Sequence, residues 1–500
     1  SELLGQMTQV GAKPLFLVNP NGIHIGGTAS FDVTNLTLST LNMDTAEFNR
    51  PKRIGDWVLK QGAQGAKELS IDAGAQLNIH NGGMIAISAG KVTVADGVTF
   101  VADSADHGGL YISAYKGDTL DGTKQSGETE AGNTIDFRGK VSGVEYLEMN
   151  ASSINVEGAN LAGKDISMRS VAKVQSERSP DVGLLAAPTN TLTLKNTKVV
   201  GDQIHMLGGK VDVAKDVNFK FAAGADEAHL NVFALSKVVD EGKSASTVQG
   251  NDVAFHGMVT SDADCDAEVN IGGATVNMDG AKFRMPKGNL SVVAIANSED
   301  SYAEDAGVEK ETALTKATAA NVVQADGLDV EGNLHGTQIY GGKVELKNTT
   351  VKTPGKIEIE AYTSREWTGQ DNDRITTEDV QTGSDNVVRL EKTKLLNAAP
   401  AEANQALKWV YVRGGKVEIK DSELTSDQSV DVWALKSAKV KQTLDEPAAP
   451  FFPNYTTIKG EYHTDASNSV EISNSKLHAN LASWNTYKKP DCYVSAWGGK

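Results

Sequence analysis

Short runs in which apolar and polar residues alternate fill the chain, among them LSIDA, KVTVADGVTFVA, TLTLKN, KVDVAKDVNFKF, KVELKNTTVK and KVEIKDSEL, each bounded by Gly, Asn or Asp. A period of two predicts strands with one buried face. Helical periodicity is nearly absent, and the stretch rich in helix formers, VEKETALTKATA at 308–319, is the single helix candidate.

A longer period emerges when the runs are aligned. The pattern apolar-x-apolar-x-Ala recurs at Leu110/Ile112/Ala114, Leu230/Val232/Ala234, Leu290/Val292/Ala294, Ile357/Ile359/Ala361 and Val430/Val432/Ala434, with a weaker copy at Ile166/Met168/Ser170. Successive starts lie 56, 64, 60, 67 and 73 residues apart. A glycine marker precedes nearly every copy: Gly90-Lys91, Gly208-Gly209-Lys210, Gly272-Gly273, Gly341-Gly342-Lys343 and Gly414-Gly415-Lys416. Alternation puts the first, third and fifth residues on one face, and a small fifth residue suits a tight corner. One such unit cannot bury its inward side chains, whereas a stack of them can. The pattern therefore predicts an all-β fold, a right-handed parallel β-helix (β-solenoid) with three coils to each period. A string of β-sandwich domains has similar strand spacing, but no Pro-rich linker or break in composition separates the units.

After each marker strand the rhythm gives way to polar insertions, beginning at Gly117, Lys237, Glu299, Arg365 and Ala438. Insertions in one register map to one side of a stack, so loop insertions along one face are expected.

Composition narrows the function. With 48 Lys and Arg against 65 Asp and Glu, the net charge of −17 argues against nucleic acid or an anionic membrane as main partner. Forty-nine glycines without a Gly-X-Y period exclude collagen, and Cys265 and Cys492 lie too far apart in sequence for a local disulfide framework.

The segment LLGQMTQVGAKPLFLVNPNGIHIGGTASFDVTNLTLSTL, within residues 3–43, resembles the haemagglutination-activity segment of filamentous-haemagglutinin-like exoproteins exported by two-partner secretion. Leu15 to Val18 match the family's apolar strand, Asn19-Pro20-Asn21-Gly22 match its turn motif, Gly26-Gly27 follow, and Leu38-Ser39-Thr40-Leu41 fill the last position. Lys13 and Pro14 depart from the family's turn residues, and Leu38 stands where it prefers Ala. The resemblance implies a parallel β-helix, an outer-membrane two-partner secretion pore that recognises the N-terminal domain, and localisation as a secreted protein at the bacterial cell surface. It also implies a fragment lacking its N-terminus. On this reading residues 1–175 are the remainder of the secretion domain, and 176–500 are a β-helical repeat shaft that continues beyond the chain end.

Candidate chemistry is sparse. The nine histidines form no His-x-x-x-His pair, and Asp262-x-Asp264-x-Asp266 lacks both the Gly and the Glu of a calcium loop. No catalytic residue, metal or cofactor is expected. Five of the six tryptophans fall late in the chain; Trp433 is the outward residue beside Val432 in a marker strand, and Trp367 lies in the insertion that also carries Asp371 and Asp373. Rings on an exposed face stack on sugars or anchor protein partners, so Trp367, Asp371, Asp373 and Trp433 are the candidate partner-binding residues. The expected function is a non-catalytic adhesin or fibre-forming exoprotein, whose partners are a host or bacterial surface receptor or glycan, with self-association through open strand edges. Two other functions fit the same shaft: the stick of a contact-dependent inhibition toxin, and capture of a host protein or haem source through the insertions.

Overall fold

The computed structural model describes all residues except 12, 44–56, 61–66, 104–106, 122–123, 177–183, 223, 240–243, 306–307, 333–334, 371–374, 398–408, 445–455, 480–492 and 499–500. Every regular element among the described residues is a strand. The chain divides into two compact units, Ser1–Glu241 with Val248–Asn270, and Gly242–Thr247 with Ile271–Lys500.

Each unit contains two parallel ladders. In the second unit, the first ladder joins Val322–Asp326, Lys343–Lys347, Val387–Glu391, Lys416–Lys420 and Ser469–Ser473 in order, with Val344 opposite Val388 and Val388 opposite Val417. The second ladder takes two strands from each layer, for example Thr350–Thr353 and Ile357–Ala361, which pair with Lys394–Asn397 and Trp409–Gly414 of the layer after it. In the first unit Ser153–Glu157, Thr191–Lys195 and Lys210–Val213 form the first ladder, and Asn160–Ser170, Gln203–Gly208 and Glu227–Ala234 belong to the second.

Register explains the small fifth residue of the marker strands. Leu110, Ile112 and Ala114, and likewise Ile357, Ile359 and Ala361, have no exposed surface. Fully burying one Val, Leu or Ile is worth about 1.5–3 kcal/mol, so a column of such residues, repeated layer after layer, carries most of the stability. Rings join the aliphatic interior of the first unit: Phe100 stacks on Phe137 at 6.1 Å and Phe219 on Phe255 at 5.7 Å.

Three expectations need correction. The period holds two layers, not three coils: in the second unit, partners in the first ladder follow at a short step from Val322 to Lys343, a long one from Val344 to Val388, and a short one from Val387 to Lys416. The long step is long because it contains the insertion. The insertions themselves are β-hairpins and not loops. Asn297–Asp305 pairs antiparallel with Val308–Lys316, Ser364–Gln370 with Ile375–Gln381, and Ser437–Leu444 with Thr456–His463, and neighbouring hairpins pair with one another to form a third sheet. In the first unit Gly117–Asp121 and Lys124–Glu128 form the equivalent hairpin, flanked by Trp57–Lys60 and Lys173–Ser176. The helix candidate is a strand of this sheet at Val308–Lys316. Pairing on both edges, with Asn297–Asp305 and with Ser364–Gln370, satisfies its backbone and overrides the helix-forming composition.

The glycine marker has a partner that pattern reading missed. Where each hairpin returns to the first ladder, a buried asparagine closes a four-residue turn: Asn133, Asn190, Asn251, Asn321, Asn386 and Asn468 are all at most 5% exposed. Asn386 shows the device. Its Oδ1 accepts from the Gly383 amide at 2.7 Å, and its Nδ2 donates to the carbonyls of Gly342 at 2.9 Å and Tyr362 at 3.1 Å. The second marker glycine lies directly against such a turn. A Cβ on Gly342 would fall 1.6 Å from the Thr318 carbonyl oxygen, and one on Gly415 would fall 1.8 Å from that of Gly383. Marker glycine and turn asparagine are therefore two halves of one layer closure.

Candidate functional site

The turn Asn19-Pro20-Asn21-Gly22 connects Leu15–Val18 to Ile23–Ile25. Asn19 organises it: Oδ1 accepts from the Asn21 amide at 3.1 Å, Nδ2 donates to the Gly22 carbonyl at 2.9 Å, and the Asn19 carbonyl accepts from the Gly22 amide at 3.0 Å. Gly22 alone takes the left-handed backbone, with φ of 110°; Asn21 does not. The motif is thus a self-bonded turn whose fourth position favours glycine.

The densest constellation of charged and aromatic side chains lies in the second unit, where the hairpins meet the outer face of the second ladder. Tyr340, Glu360, Arg413 and Trp433 are register neighbours on four successive strands. Their neighbours Ile339, Ile359, Val412 and Val432 point into the interior. Arg413 is 2% exposed, and its Nη2 donates to both Glu360 carboxylate oxygens at 2.9 Å and to Glu378 Oε1 at 3.1 Å. Glu378 belongs to the hairpin strand Ile375–Gln381, so this contact crosses from ladder to hairpin. Arg365, on the other strand of that hairpin, donates from Nε to the same Glu378 oxygen at 2.8 Å and lies 4.4 Å over the Tyr340 ring. Val380, Ala317, Tyr340 and Tyr362 form an apolar cluster beside the charges.

Burial works against Glu378 ionising, but the Arg413 and Arg365 guanidinium groups outweigh it and hold its carboxyl below the ordinary value. For Arg413 burial opposes the charge, and Glu360 above all overcomes it, keeping the guanidinium protonated. Next to them Glu358 is 8% exposed and accepts from Tyr340 Oη at 2.5 Å, Gln338 Nε2 at 3.0 Å, Lys356 Nζ at 3.2 Å and Trp409 Nε1 at 3.3 Å. Burial pushes its carboxyl up, and Lys356, Tyr340, Arg365 and Gln338 together push it further down. With four donors on it, this carboxylate is an anchor already engaged; general acid–base work needs a carboxyl free to reach a reacting atom.

Two of the candidate partner-binding residues, Trp367 and Trp433, fall on or beside this anchor. Trp367 is half-buried on Ser364–Gln370, opposite Glu378 and two positions from Arg365, so it shares the hairpin face that carries the charge network. Trp433 is held edge-on between Tyr411 at 5.3 Å and Tyr462 at 5.1 Å, and its Nε1 donates to Ser495 Oγ at 2.8 Å. Tyr462 lies on the hairpin strand Thr456–His463, so this indole ties a second hairpin to the ladder. Asp371 and Asp373 lie outside the described residues. The sequence reading did not single out Glu358, Glu360, Glu378, Arg365 or Arg413.

No protein-family model matches the chain, and no curated protein or solved structure does so either.

Proposed function

We propose that the chain is part of a secreted, non-catalytic adhesin of the bacterial cell surface, built as a right-handed parallel β-helix and exported through an outer-membrane two-partner secretion pore. The observation that carries this reading is the alternation of plain layers with hairpin-bearing layers, with one hairpin of the second unit fastened to the ladder by buried charge and another by packed rings. Parallel pairing makes the ladders a stiff support, and the hairpins are elements placed on it at a fixed interval. Contact with a receptor or glycan at a cell surface is the work such an arrangement suits. Full engagement of the Glu358 carboxylate favours binding over hydrolysis.

Export is tested by producing the chain behind a secretion leader in a bacterium with and without a two-partner secretion pore of the filamentous-haemagglutinin class. The protein should reach the medium only with the pore, and Asn19→Ala, which removes the side-chain bonds of the turn, should lower the secreted amount several-fold. Equal release without the pore would reject this route.

A further inference from the structure

The chain has a net charge of −17, yet one face of the first unit is free of acids. The strands Thr99–Ala102, Lys140–Ala151, Asn160–Ser170, Lys198–Gly201, Asn218–Phe221 and Met258–Thr260 follow one another in the second ladder. At their starts a buried residue, such as Val141, Leu161, Val199 or Phe219, is flanked by two that point outward. None of these outward residues is Asp or Glu, and three of them, Lys140, Lys198 and Lys220, are lysines. Acids stand only at the corners that bound the face: before the strands, as at Glu157 and Asp216, and after them, as at Asp202 and Asp262.

The lysines have a regular place in the ladder. Lys140 is opposite Asn160, Asn160 is opposite Lys198, and Lys198 is opposite Asn218, so ammonium and amide alternate from layer to layer. All four side chains are exposed. Two strand spacings separate the ammonium groups at their roots, roughly 9.6 Å. Lys220, one layer on, meets Asp262 at 3.8 Å, whereas Lys140 and Lys198 make no ion pair among the described residues. Like charges held this close repel one another, and an anion beside each relieves the repulsion.

Spacing and surroundings select among anions. A step of two strands matches the rise of one disaccharide in an extended chain, so a polymer with one carboxylate per disaccharide sets a charge beside each lysine and a neutral sugar beside each asparagine. The amides of Asn160 and Asn218 both donate and accept, which suits sugar hydroxyls. A nucleic acid carries a phosphate on every nucleotide; half of its charges would face amides, and the acidic corners on both sides would repel them. We infer that the stripe Lys140–Asn160–Lys198–Asn218 binds a linear polysaccharide carrying one carboxylate per disaccharide, laid across the strands along the stack of layers. This face belongs to the first unit and is separate from the hairpin anchor of the second.

The test uses the purified full chain at low salt and isothermal titration with a hyaluronan decasaccharide, which has this charge pattern; cellohexaose serves as the neutral comparison and a ten-nucleotide oligothymidylate as the denser anion. Saturable binding of the hyaluronan fragment is expected, weakened at least threefold by Lys140→Gln or Lys198→Gln and at least tenfold by the two together. Lys198→Arg should keep the affinity, and so should Lys210→Gln, an exposed lysine of the first ladder. Circular dichroism melting checks the fold of each variant; the replaced side chains are exposed, and the single variants carry the test if the double one fails to fold. The inference is overturned if the hyaluronan fragment does not bind, if a folded double variant binds within twofold of the parent, if Lys210→Gln weakens binding as much as Lys198→Gln, or if cellohexaose or the oligothymidylate binds more tightly. The assay involves neither export nor the hairpins, so its failure leaves the proposed function standing.

Discussion

Replacing Arg413 with Met removes the cation at the centre of the hairpin anchor while keeping much of its aliphatic volume. It strands Glu360, which is 2% exposed and accepts from Arg413 at both carboxylate oxygens, and it strips Glu378 of one of its two arginines. Removing one partner of a buried ion pair costs about 3–5 kcal/mol, because an uncompensated charge remains behind. The cost should be local, since layered proteins unfold unit by unit and no single midpoint describes 500 residues. Native-state hydrogen exchange is therefore the assay. Amides of Ser364–Gln370 and Ile375–Gln381 should lose about a hundredfold to several thousandfold in protection, while those of the first ladder change little. Adding Glu360→Leu to the same protein should restore most of the loss, because two apolar groups of matching shape replace the pair. Protection within threefold of the parent in Arg413→Met, or a double variant no better than the single one, would refute the assignment of this network as the hairpin's anchor.

Three further outcomes follow from the same geometry. Asn386→Ala leaves the Gly383 amide and two buried carbonyls without their partner, so it should destabilise the second unit by about 2–5 kcal/mol in guanidinium melts followed by tryptophan fluorescence. Gly342→Ala drives a methyl group into the Thr318 carbonyl, a rigid backbone atom, and should cost about 3 kcal/mol or prevent soluble accumulation altogether, whereas Gly5→Ala, with open space around the added methyl and no left-handed backbone, should cost less. Glu378 is held below its ordinary value, so its contribution is complete above the unfolded carboxylate value of about 4.3 and disappears as the pH falls through the lower folded value. The melting difference between the parent and Glu378→Gln should accordingly be large at pH 7 and shrink toward zero in strong acid; a difference independent of pH would contradict the ionic assignment.

Much of this fold can be read from the residues because strand alternation is a local signal. The inward columns through Leu110, Leu230, Ile357 and Val430 are visible as a pattern before any pairing is known, and all of them are fully buried. The hairpins are less legible. Strands such as Val308–Lys316 and Ile375–Gln381 carry few apolar residues, and their stability comes from pairing with hairpins from other layers, which no local window contains. The number of layers per period was misjudged for a related reason: a layer of the second unit places three strands in the two ladders, and strand spacing alone does not say which of them starts a new layer. The closing asparagines were within reach, since the tetrapeptides EAGN, APTN, VQGN, TAAN, GSDN and DASN each precede a first-ladder strand, but their sequences share little beyond the final residue. The anchor was out of reach. Glu360 and Arg413 are 53 residues apart, and each alone looks like an ordinary outward charge on a strand.

The central claim is that the hairpins are the elements that contact a surface and the parallel layers are their support. The most direct measurement is adherence of beads coated with the purified chain to bacterial and host cells, comparing the parent with a variant in which 364–381 is replaced by the hairpin-free connection of an adjacent layer, residues 341–342. If the claim holds, the variant keeps its β circular dichroism spectrum and loses most of the adherence to at least one of the two cell types. Adherence equal to the parent's in a folded variant, or no adherence by the parent to either, would contradict it.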